Sequence, residues 1–347
     1  MMGGPSSEHD VSLASGRMVA QALARAGLGV EALVVERSGQ WRRLPPERLE
    51  AHALRPYDLA APADVRMAVA SGVREAALAD VVFLALHGTF GEDGTVQGML
   101  ETLGVPYTGS GPLASALAMH KHKAKELFTL YGLTVPRGLC LDAESVRRDA
   151  QRAAAQVVAT LGLPVVVKPD RGGSSVGAAL AEEQAAVEAA LLAAARLDQA
   201  VLAEERIAGR EITCAILEDP DGEPHALPLI EIVPRGQALF DFESKYDAER
   251  GAEEIVPARL AESAAAACRE AALTAHRALG CEGFSRVDMF WTERGPVVLE
   301  LNTIPGLTPG SLLPKAARAA GIELDEVCRR LLDAALRRAH RRPGASR

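Results

Sequence analysis

Apolar and polar positions along this chain switch repeatedly between a helical and a strand-like spacing. Residues 15–27 carry apolar side chains at helical spacing and end in glycine, which predicts an amphipathic helix. Compact apolar runs at 30–35 and 80–86 predict strands. Because the two patterns alternate, we expect an α/β protein whose first region is an open, doubly wound sheet.

The middle of the chain repeats this alternation with shorter strands. Its alanine-rich segments are expected to be helical, since Leu and Val recur in them at helical spacing. We predict helices over 111–131, 144–161 and 181–200, and strands over 134–136, 164–168, 176–180 and 201–205.

Composition narrows the class of protein. The 347 residues are 48% apolar, enough for a large core divided into two or three domains. The apolar runs are too short to span a bilayer and the first residues lack the pattern of a signal peptide, so we expect a cytoplasmic protein. Five scattered cysteines without a CxxC pair predict reduced thiols, and a net charge of -8 argues against a general nucleic-acid binder.

A glycine-serine loop follows a lysine in the stretch VVVKPDRGGSSVG, residues 165–177. The flanking strands make this loop the tip of a hairpin, and its backbone N–H groups can close over an anion because glycine allows a close approach. Lys168, on the adjoining strand, would reach the same anion from the side. The alternative is a glycine-rich turn without a ligand.

A second hairpin is predicted in SRVDMFWTERGPVVLELN, residues 285–302, with its turn at 293–296. Alternate residues of a strand share a face, so Arg286 and Asp288 point one way and Glu300 and Asn302 point together from the partner strand. Carboxylate and amide oxygens without His or Cys suit a hard cation such as Mg²⁺. The alternative is a surface hairpin with solvated charges.

Five motifs then occur in order along nearly the whole chain: GGPSSEHDVS (3–12), HGTFGEDGTVQGMLE (87–101), VKPDRGGSSVG (167–177), FDFESKY (240–246), and RVDMFW through VLELNTIPGLTPGSLLP (286–314). Because it carries these five motifs in this order, the chain resembles the D-alanine:D-alanine ligases of the ATP-grasp superfamily. That resemblance is more specific than any single motif, and no GxGxxG follows the first strand pattern to support a Rossmann dehydrogenase instead.

The resemblance implies a three-domain ATP-grasp fold of the α/β (α+β) class, with an N-terminal open parallel sheet and two α+β domains that grip ATP. The expected spans are 1–109 for the N-terminal substrate-binding domain, 110–207 for the central ATP-grasp subdomain and 208–347 for the C-terminal catalytic domain. The implied activity joins two D-alanines at the expense of ATP for peptidoglycan synthesis, with two Mg²⁺ or Mn²⁺ ions, in a homodimer.

Individual roles also follow from the resemblance. For the nucleotide, it implies phosphate contacts for Lys121, Lys168 and Lys245, a phosphate lid at Ser174 and Ser175, adenine and ribose contacts for Glu204 and Glu211, and metal ligation by Asp288, Glu300 and Asn302. For the amino acids, it implies that Glu8 and His87 bind the first D-alanine, that Ser311 and Leu312 bind the carboxylate of the second, and that Glu8, Ser174, Tyr246, Arg286 and Gly306 serve catalysis.

Some alternatives stay open at this point. Glu8 before a helix can be a simple capping acid, and His87 a core histidine. In the resembling ligases, a tyrosine at the place of Tyr246 accompanies use of D-alanine as the second substrate, whereas the relatives that use D-lactate have a different loop. The alternative function is that of an ATP-grasp ligase that uses D-lactate or D-serine as its second substrate. Family members also carry an apolar strand before the stretch that begins at Gly3, so we expect the first strand to be missing, with an inactive protein as one outcome and a true start further upstream as the other.

Overall fold

The computed structural model describes residues 1–44, 76, 78–173, 176–234 and 252–341. The helices are α1 (His9–Arg25), α2 (Thr95–Leu103), α3 (Pro112–Met119), α4 (Lys121–Leu130), α5 (Ala143–Arg148), α6 (Ala150–Leu161), α7 (Gln184–Ala194), α8 (Glu262–Ala278), α9 (Leu312–Ala319) and α10 (Leu324–Arg341). Among the residues described, none of these helices has the length and apolar character needed to cross a membrane.

The strands are β1 (Met2–Gly3), β2 (Ala32–Val35), β3 (Trp41–Leu44), β4 (Gly138–Asp142), β5 (Val165–Pro169), β6 (Ala179–Ala181), β7 (Ala200–Glu205), β8 (Arg210–Glu218), β9 (Pro224–Ala226), β10 (Ile230–Val233), β11 (Glu253–Ile255), β12 (Phe284–Thr292) and β13 (Gly295–Asn302). In the described ranges they form an N-terminal, a central and a C-terminal sheet. The expected mixture of helices and strands is confirmed.

The N-terminal sheet has the order β1-β2-β3. β1 pairs with β2 in parallel, but β3 runs antiparallel to β2, so the parallel arrangement predicted for this region holds only for the first pair. The cause is local. Gly39, with a φ of +81°, allows a tight reversal between β2 and β3 that no crossover helix could make.

The first strand is present in short form, so the expectation that it would be missing is wrong. Met2 and Gly3 lie opposite Val34 and Val35 of β2, and the amine of Met1 donates to the carbonyl of Phe83 at 2.6 Å. Burial lowers the pKa of this amine to about 5. β1 therefore lies between β2 and the segment that contains Phe83.

That segment was predicted as a strand over 80–86, but besides its hydrogen bonds with Met1 it forms an isolated parallel bridge between Val82 and Tyr107 and not a regular strand. Leu84 and Leu86 in it are fully buried. Its apolar run therefore reports burial in the core and not a long ladder of hydrogen bonds.

Several predicted helices are shorter or divided. The helix expected over 111–131 breaks at His120, whose extended backbone separates α3 from α4, and the helix expected over 144–161 breaks at Asp149. The Asp149 carboxylate accepts a hydrogen bond from the N–H of Arg152 and so starts a new helix. The prediction over 181–200 reduces to α7, and the strand expected at 134–136 begins later, as β4.

The central sheet has the antiparallel order β4-β7-β5-β6, and β5 and β6 form the predicted hairpin around the glycine-serine loop. The C-terminal sheet has the order β11-β10-β8-β12-β13, with β9 against β8. Helix α8 packs its alanine face on the C-terminal sheet, and α10 joins that sheet to the N-terminal region in one core that includes Leu84, Leu217 and Leu331. All five cysteines are free thiols, and all except Cys140 are buried.

Candidate active site

The hairpin β12–β13 carries its polar residues on one face, as the alternation predicts. Asp288 lies directly opposite Glu300, and Arg286 lies opposite Asn302. The Arg286 guanidinium donates to both carboxylate oxygens of Asp288, with Nε–Oδ1 and Nη2–Oδ2 distances of 2.9 and 2.8 Å. Burial alone lowers the pKa of Arg286, but the charge of Asp288 outweighs it and raises that pKa overall, so the guanidinium stays charged.

The three residues predicted to bind a metal ion lie at neighbouring positions of two paired strands. Asp288, Glu300 and Asn302 present two carboxylates and one carboxamide from adjacent strands. Within the described ranges no group of three or more His, Cys, Asp or Glu side chains converges as a metal site, and the predicted set contains only two such residues. Its all-oxygen chemistry nevertheless fits a hard divalent cation that completes its shell with phosphate oxygens and water.

Lys121 connects this face to the glycine-serine loop. Its Nζ donates to the carbonyl of Gly172 at 2.6 Å and lies 3.5 Å from Oε2 of Glu300. The first residue of α4 therefore links the loop expected to cover phosphates with the face expected to bind metal.

Lys168, at the end of β5, lies 2.9 Å from Oε2 of Glu204 on β7. The other carboxylate oxygen of Glu204 accepts a hydrogen bond from Lys125, one helical turn after Lys121. All three side chains are largely removed from solvent. One carboxylate thus carries two ammonium groups in the interior.

The pKa values of this cluster follow from burial and from the unequal number of charges. Burial alone lowers the pKa of Lys168, but Glu204 and Glu300 reverse the effect and raise it. Burial, and then the charge of Lys168, lowers the pKa of Lys125 to about 7. Burial opposes ionisation of Glu204, yet both lysines together lower its pKa. The cluster has surplus positive charge whenever both lysines are protonated.

Glu8 lies at the start of α1 and reaches the same loop. A Cβ placed on Gly173 would lie 2.7 Å from Oε2 of Glu8, and one placed on Gly88 would lie 2.8 Å from it. The carboxylate is therefore packed against two glycine backbones, one in the loop and one in the motif that begins at His87. Side chains at either position would displace it.

His87 is buried in a network that crosses the molecule. Its Nδ1 donates to the carbonyl of Ile304 at 3.0 Å and lies 3.3 Å from Glu92, while its Nε2 lies 2.9 Å from Oγ of Ser15. Burial alone would lower the pKa of His87, but the neighbouring Glu92 raises it overall. The network ties α1 to the segment after β13.

That segment brings the remaining predicted residues together. Ser311 immediately precedes α9, and its Oγ accepts from the N–H of Thr308 at 3.2 Å. A Cβ on Gly306 would lie 2.7 Å from this Oγ, so the glycine allows the loop to close on itself. The N–H of Leu312 lies in the first turn of α9, where a carboxylate is favoured by the helix dipole.

Five other predicted residues complete the expected site. Ser174, Ser175, Lys245 and Tyr246 lie outside the described residues. Glu211, at the start of β8, is half-buried and lies opposite Phe290 and Ile232. The roles expected for all five stay predictions.

Two residues in the site were not singled out from the sequence. Glu92 lies beside His87, and Lys125 shares Glu204 with Lys168. A signal existed for Lys125, because residues four apart lie on the same face of a helix and Lys121 had been selected. The break at His120, which sets the direction of that face, was not expected.

Comparison with known proteins decides the family. Residues 1–110 match the D-ala D-ala ligase N-terminus family and residues 127–333 match the D-ala D-ala ligase C-terminus family. The D-alanine--D-alanine ligase of Desulforudis audaxviator (strain MP104C) is 43% identical over 333 residues, which cover 96% of each chain. This chain belongs to the D-alanine--D-alanine ligase family.

Solved structures of D-alanine ligases have the same fold. The D-alanine-D-alanine ligase from Coxiella burnetii is 28% identical with a TM-score of 0.79, covering 98% of this chain and 93% of that one. The VanG D-Ala:D-Ser ligase from Enterococcus faecalis is 31% identical with a TM-score of 0.77, covering 96% and 97%. The ATP-grasp fold expected from the sequence is confirmed, and membership of this family makes the protein an ATP-dependent ligase that forms a peptide bond.

Proposed function

We propose that this protein joins two D-alanine molecules to D-alanyl-D-alanine, with ADP and phosphate as the other products, as a step in the synthesis of peptidoglycan precursors. Family membership and the names of the relatives support the reaction. The observation that carries the assignment of the site is the position of Lys121, which contacts both the glycine-serine loop and Glu300.

The nucleotide would lie between the central and C-terminal sheets. Lys121 and Lys168 supply positive charge for its phosphates, and we assign Lys245 to the γ-phosphoryl group, Ser174 and Ser175 to the lid, and Glu211 to the ribose. Glu204 would approach the adenine from its place beside Lys168. Two Mg²⁺ or Mn²⁺ ions held by Asp288, Glu300 and Asn302 would neutralise charge on the phosphates during transfer.

ATP is needed because a carboxylate is a poor electrophile. Transfer of the γ-phosphoryl group to the carboxylate of the first D-alanine gives an acyl phosphate and ADP. The amine of the second D-alanine then attacks the carbonyl carbon, the C–O bond to phosphate breaks, and phosphate leaves with the bonding electrons while the nitrogen releases a proton. Arg286 and the N–H of Gly306 would stabilise the intermediate oxyanion.

The two amino acids would be distinguished by their charged ends. Glu8, held against Gly173, would accept the ammonium of the first D-alanine, with His87 beside it. The N-terminal end of α9, at Ser311 and Leu312, suits the carboxylate of the second.

Tyr246 is assigned to selection of D-alanine as the second substrate. Substitution Tyr246→Phe is expected to change the ratio of kcat/KM for D-alanine to that for D-serine. An unchanged ratio, measured with purified enzyme at saturating ATP, would remove this role. The D-Ala:D-Ser ligase among the similar structures makes D-serine the informative competitor.

The larger organisation is proposed on the same basis. Domain limits at 1–109, 110–207 and 208–347 leave each described sheet within one span. A homodimer in the cytoplasm is the arrangement that the family resemblance favours, and sedimentation of the purified protein would test the dimer.

The deciding experiment is release of phosphate from ATP and Mg²⁺ with D-alanine, with product identification by mass spectrometry. Parallel reactions contain L-alanine, D-alanine plus D-lactate, and D-alanine plus D-serine. Dipeptide from D-alanine alone supports the proposal. A mixed product formed in preference to D-alanyl-D-alanine reassigns the second substrate, and no product with any of them overturns the function.

A further inference from the structure

Lys125 is the one residue of the buried lysine cluster to which no role has been given above. It lies on α4 one turn after Lys121, donates to one oxygen of Glu204, and leaves the other oxygen to Lys168, 2.9 Å away. The charge of Glu300 also acts on both lysines and by itself raises their pKa values. Glu204 is the carboxylate that both lysines contact.

Such an arrangement is costly unless a further anion is expected. Moving charges out of water carries a large desolvation cost for each ion, and three lysines, Lys121, Lys125 and Lys168, share the two carboxylates of Glu204 and Glu300 here. A nucleotide phosphate bound by Lys168, as proposed above, would supply further negative charge. The surplus positive charge thus makes physical sense in a site that receives an anion.

The same geometry creates a problem for Lys168. If Lys168 were the only cation on Glu204, its movement to a phosphate would leave a buried carboxylate without a partner and close to the incoming negative charge. Breaking a buried pair in this way is strongly unfavourable. A second cation that remains on Glu204 removes the difficulty.

We propose that Lys125 is a positioning residue that stays paired with Glu204 and so frees Lys168 to bind the nucleotide phosphates. This inference rests on the proposed function for the role of Lys168. It assigns to Lys125 no contact with ATP, and it predicts that its effect on phosphate binding passes through Glu204.

The first test compares Lys125→Met with Lys123→Met. Lys123 lies on the same helix, is 57% exposed and pairs with Glu126, so it controls for loss of a positive charge from α4. Affinity for ADP and for adenosine is measured by titration calorimetry. We expect Lys125→Met to weaken ADP binding by about tenfold or more, with adenosine and the control variant within about twofold of wild type.

Equal losses for ADP and adenosine would overturn the proposal, because they would indicate a general disturbance of the pocket. Unchanged ADP affinity would overturn it as well. Should Lys125→Met fail to fold, as judged by its melting curve, Lys125→Gln keeps a hydrogen-bond donor for Glu204 while removing the charge and is expected to show the same selective loss.

A double-mutant cycle tests the route through Glu204. In a Glu204→Gln background no buried carboxylate needs a partner, so Lys125→Met should weaken ADP binding by no more than about twofold. An unreduced loss in that background would mean that Lys125 acts on the phosphate directly and would overturn the inference. Failure of the wild-type protein to bind ADP would instead contradict the proposed function itself, which keeps the two results separate.

Discussion

Two buried glutamates in this molecule each hold two basic side chains, and their surroundings differ. Glu204 on β7 is shared by Lys125 and Lys168. Glu231 on β10 is shared by Arg210, which donates from Nε and Nη2 to its two oxygens at 2.9 and 2.8 Å, and by Arg259. The composition of charges is the same in both clusters.

The difference lies in the cations. The lysine side chains on Glu204 are 7% and 15% exposed, whereas Arg210 and Arg259 are 40% and 62% exposed. Water therefore compensates the surplus charge around Glu231 but not around Glu204. We therefore interpret the ion pairs around Glu231 as structural and the buried ion pairs around Glu204 as part of a site for an anion.

The pKa values express the same contrast. Hydrogen bonding to Arg210, supported by Arg259, lowers the pKa of Glu231 to about 2. In the cluster around Glu204, burial and then the charge of Lys168 lower the pKa of Lys125 to about 7. Around Glu231, the two arginines stabilise the ionised carboxylate of that residue.

The largest expected effect is on catalysis, from Lys168→Met. Loss of a preorganised charge at the transferring phosphoryl group should lower kcat/KM for ATP by about 10²–10³-fold. The measurement is coupled ADP release at varied ATP, with Lys123→Met as the control. A loss of kcat/KM below about threefold would show that Lys168 has only a structural role, and the proposed difference between the two clusters would be wrong.

Next in size is the effect of Glu204→Gln on stability. Removal of the carboxylate takes away the anion that two buried lysines contact, which we expect to cost about 2–3 kcal/mol, moderated by the charge of Glu300 and by loss of a proton from Lys125. Differential scanning calorimetry should show a Tm several degrees below that of wild type.

Glu205→Gln is the matched control for that measurement. Glu205 is the next residue on β7 and pairs with Arg137, which is largely exposed, so its loss should cost about 1 kcal/mol or less. Equal Tm values for the two variants would contradict the argument from burial.

A smaller, pH-dependent effect is expected for Glu231→Gln. Because the folded pKa of about 2 lies below the ordinary value of 4.5, the stabilisation by this carboxylate is complete above pH 4.5 and is lost as the pH falls towards 2. Since its arginines are partly solvated, we expect a deficit of about 1–2 kcal/mol at neutral pH.

Urea denaturation of wild type and Glu231→Gln at a series of pH values measures this deficit. The gap between their midpoints should narrow as the pH falls below 4.5, since only wild type loses the charge at this position. A gap that stayed constant or widened in acid would show that the carboxylate is not the source of the stabilisation.

The smallest effect is expected for Arg259→Met, with a change in stability of about 0.5 kcal/mol or less, because Arg210 keeps both of its hydrogen bonds to Glu231. Thermal melting at low and high salt measures it. A loss as large as that of Glu231→Gln would mean that exposed cations matter as much as buried ones, and the comparison between the clusters would fail.

The hairpin around Asp288 and Glu300 illustrates what a local pattern can predict. Strand alternation predicts that Arg286 and Asp288 share one face of their strand and that Glu300 and Asn302 share one face of the next. The observed pairing of Asp288 with Glu300 also depends on a register shift between Asp288 and Met289, which the alternation did not predict. The hairpin of Lys168 was predictable for the same reason. In both cases the information lies within a few residues of the chain.

The lysine cluster illustrates what a local pattern cannot predict. Lys125 and Glu204 are separated by 79 positions, and their contact depends on where α4 lies relative to β7. The direction of α4 depends in turn on the break at His120, where the apolar pattern had indicated a continuous helix. Likewise, the antiparallel β3 followed a tight turn at Gly39 that the strand pattern did not reveal.

By itself, then, the sequence determined the α/β class, the two hairpins with their polar faces and, through its ordered motifs, the ligase family, because each of these depends on short-range alternation or on residue types at fixed spacing. Only the tertiary structure decided that Glu8 packs against Gly173 and that Lys121 contacts both the glycine-serine loop and Glu300. It also decided that the two lysines paired with Glu204 are buried, whereas the two arginines paired with Glu231 are exposed to solvent. Burial is a property of the packed molecule, and the same charges acquire different roles according to how much water packing leaves around them.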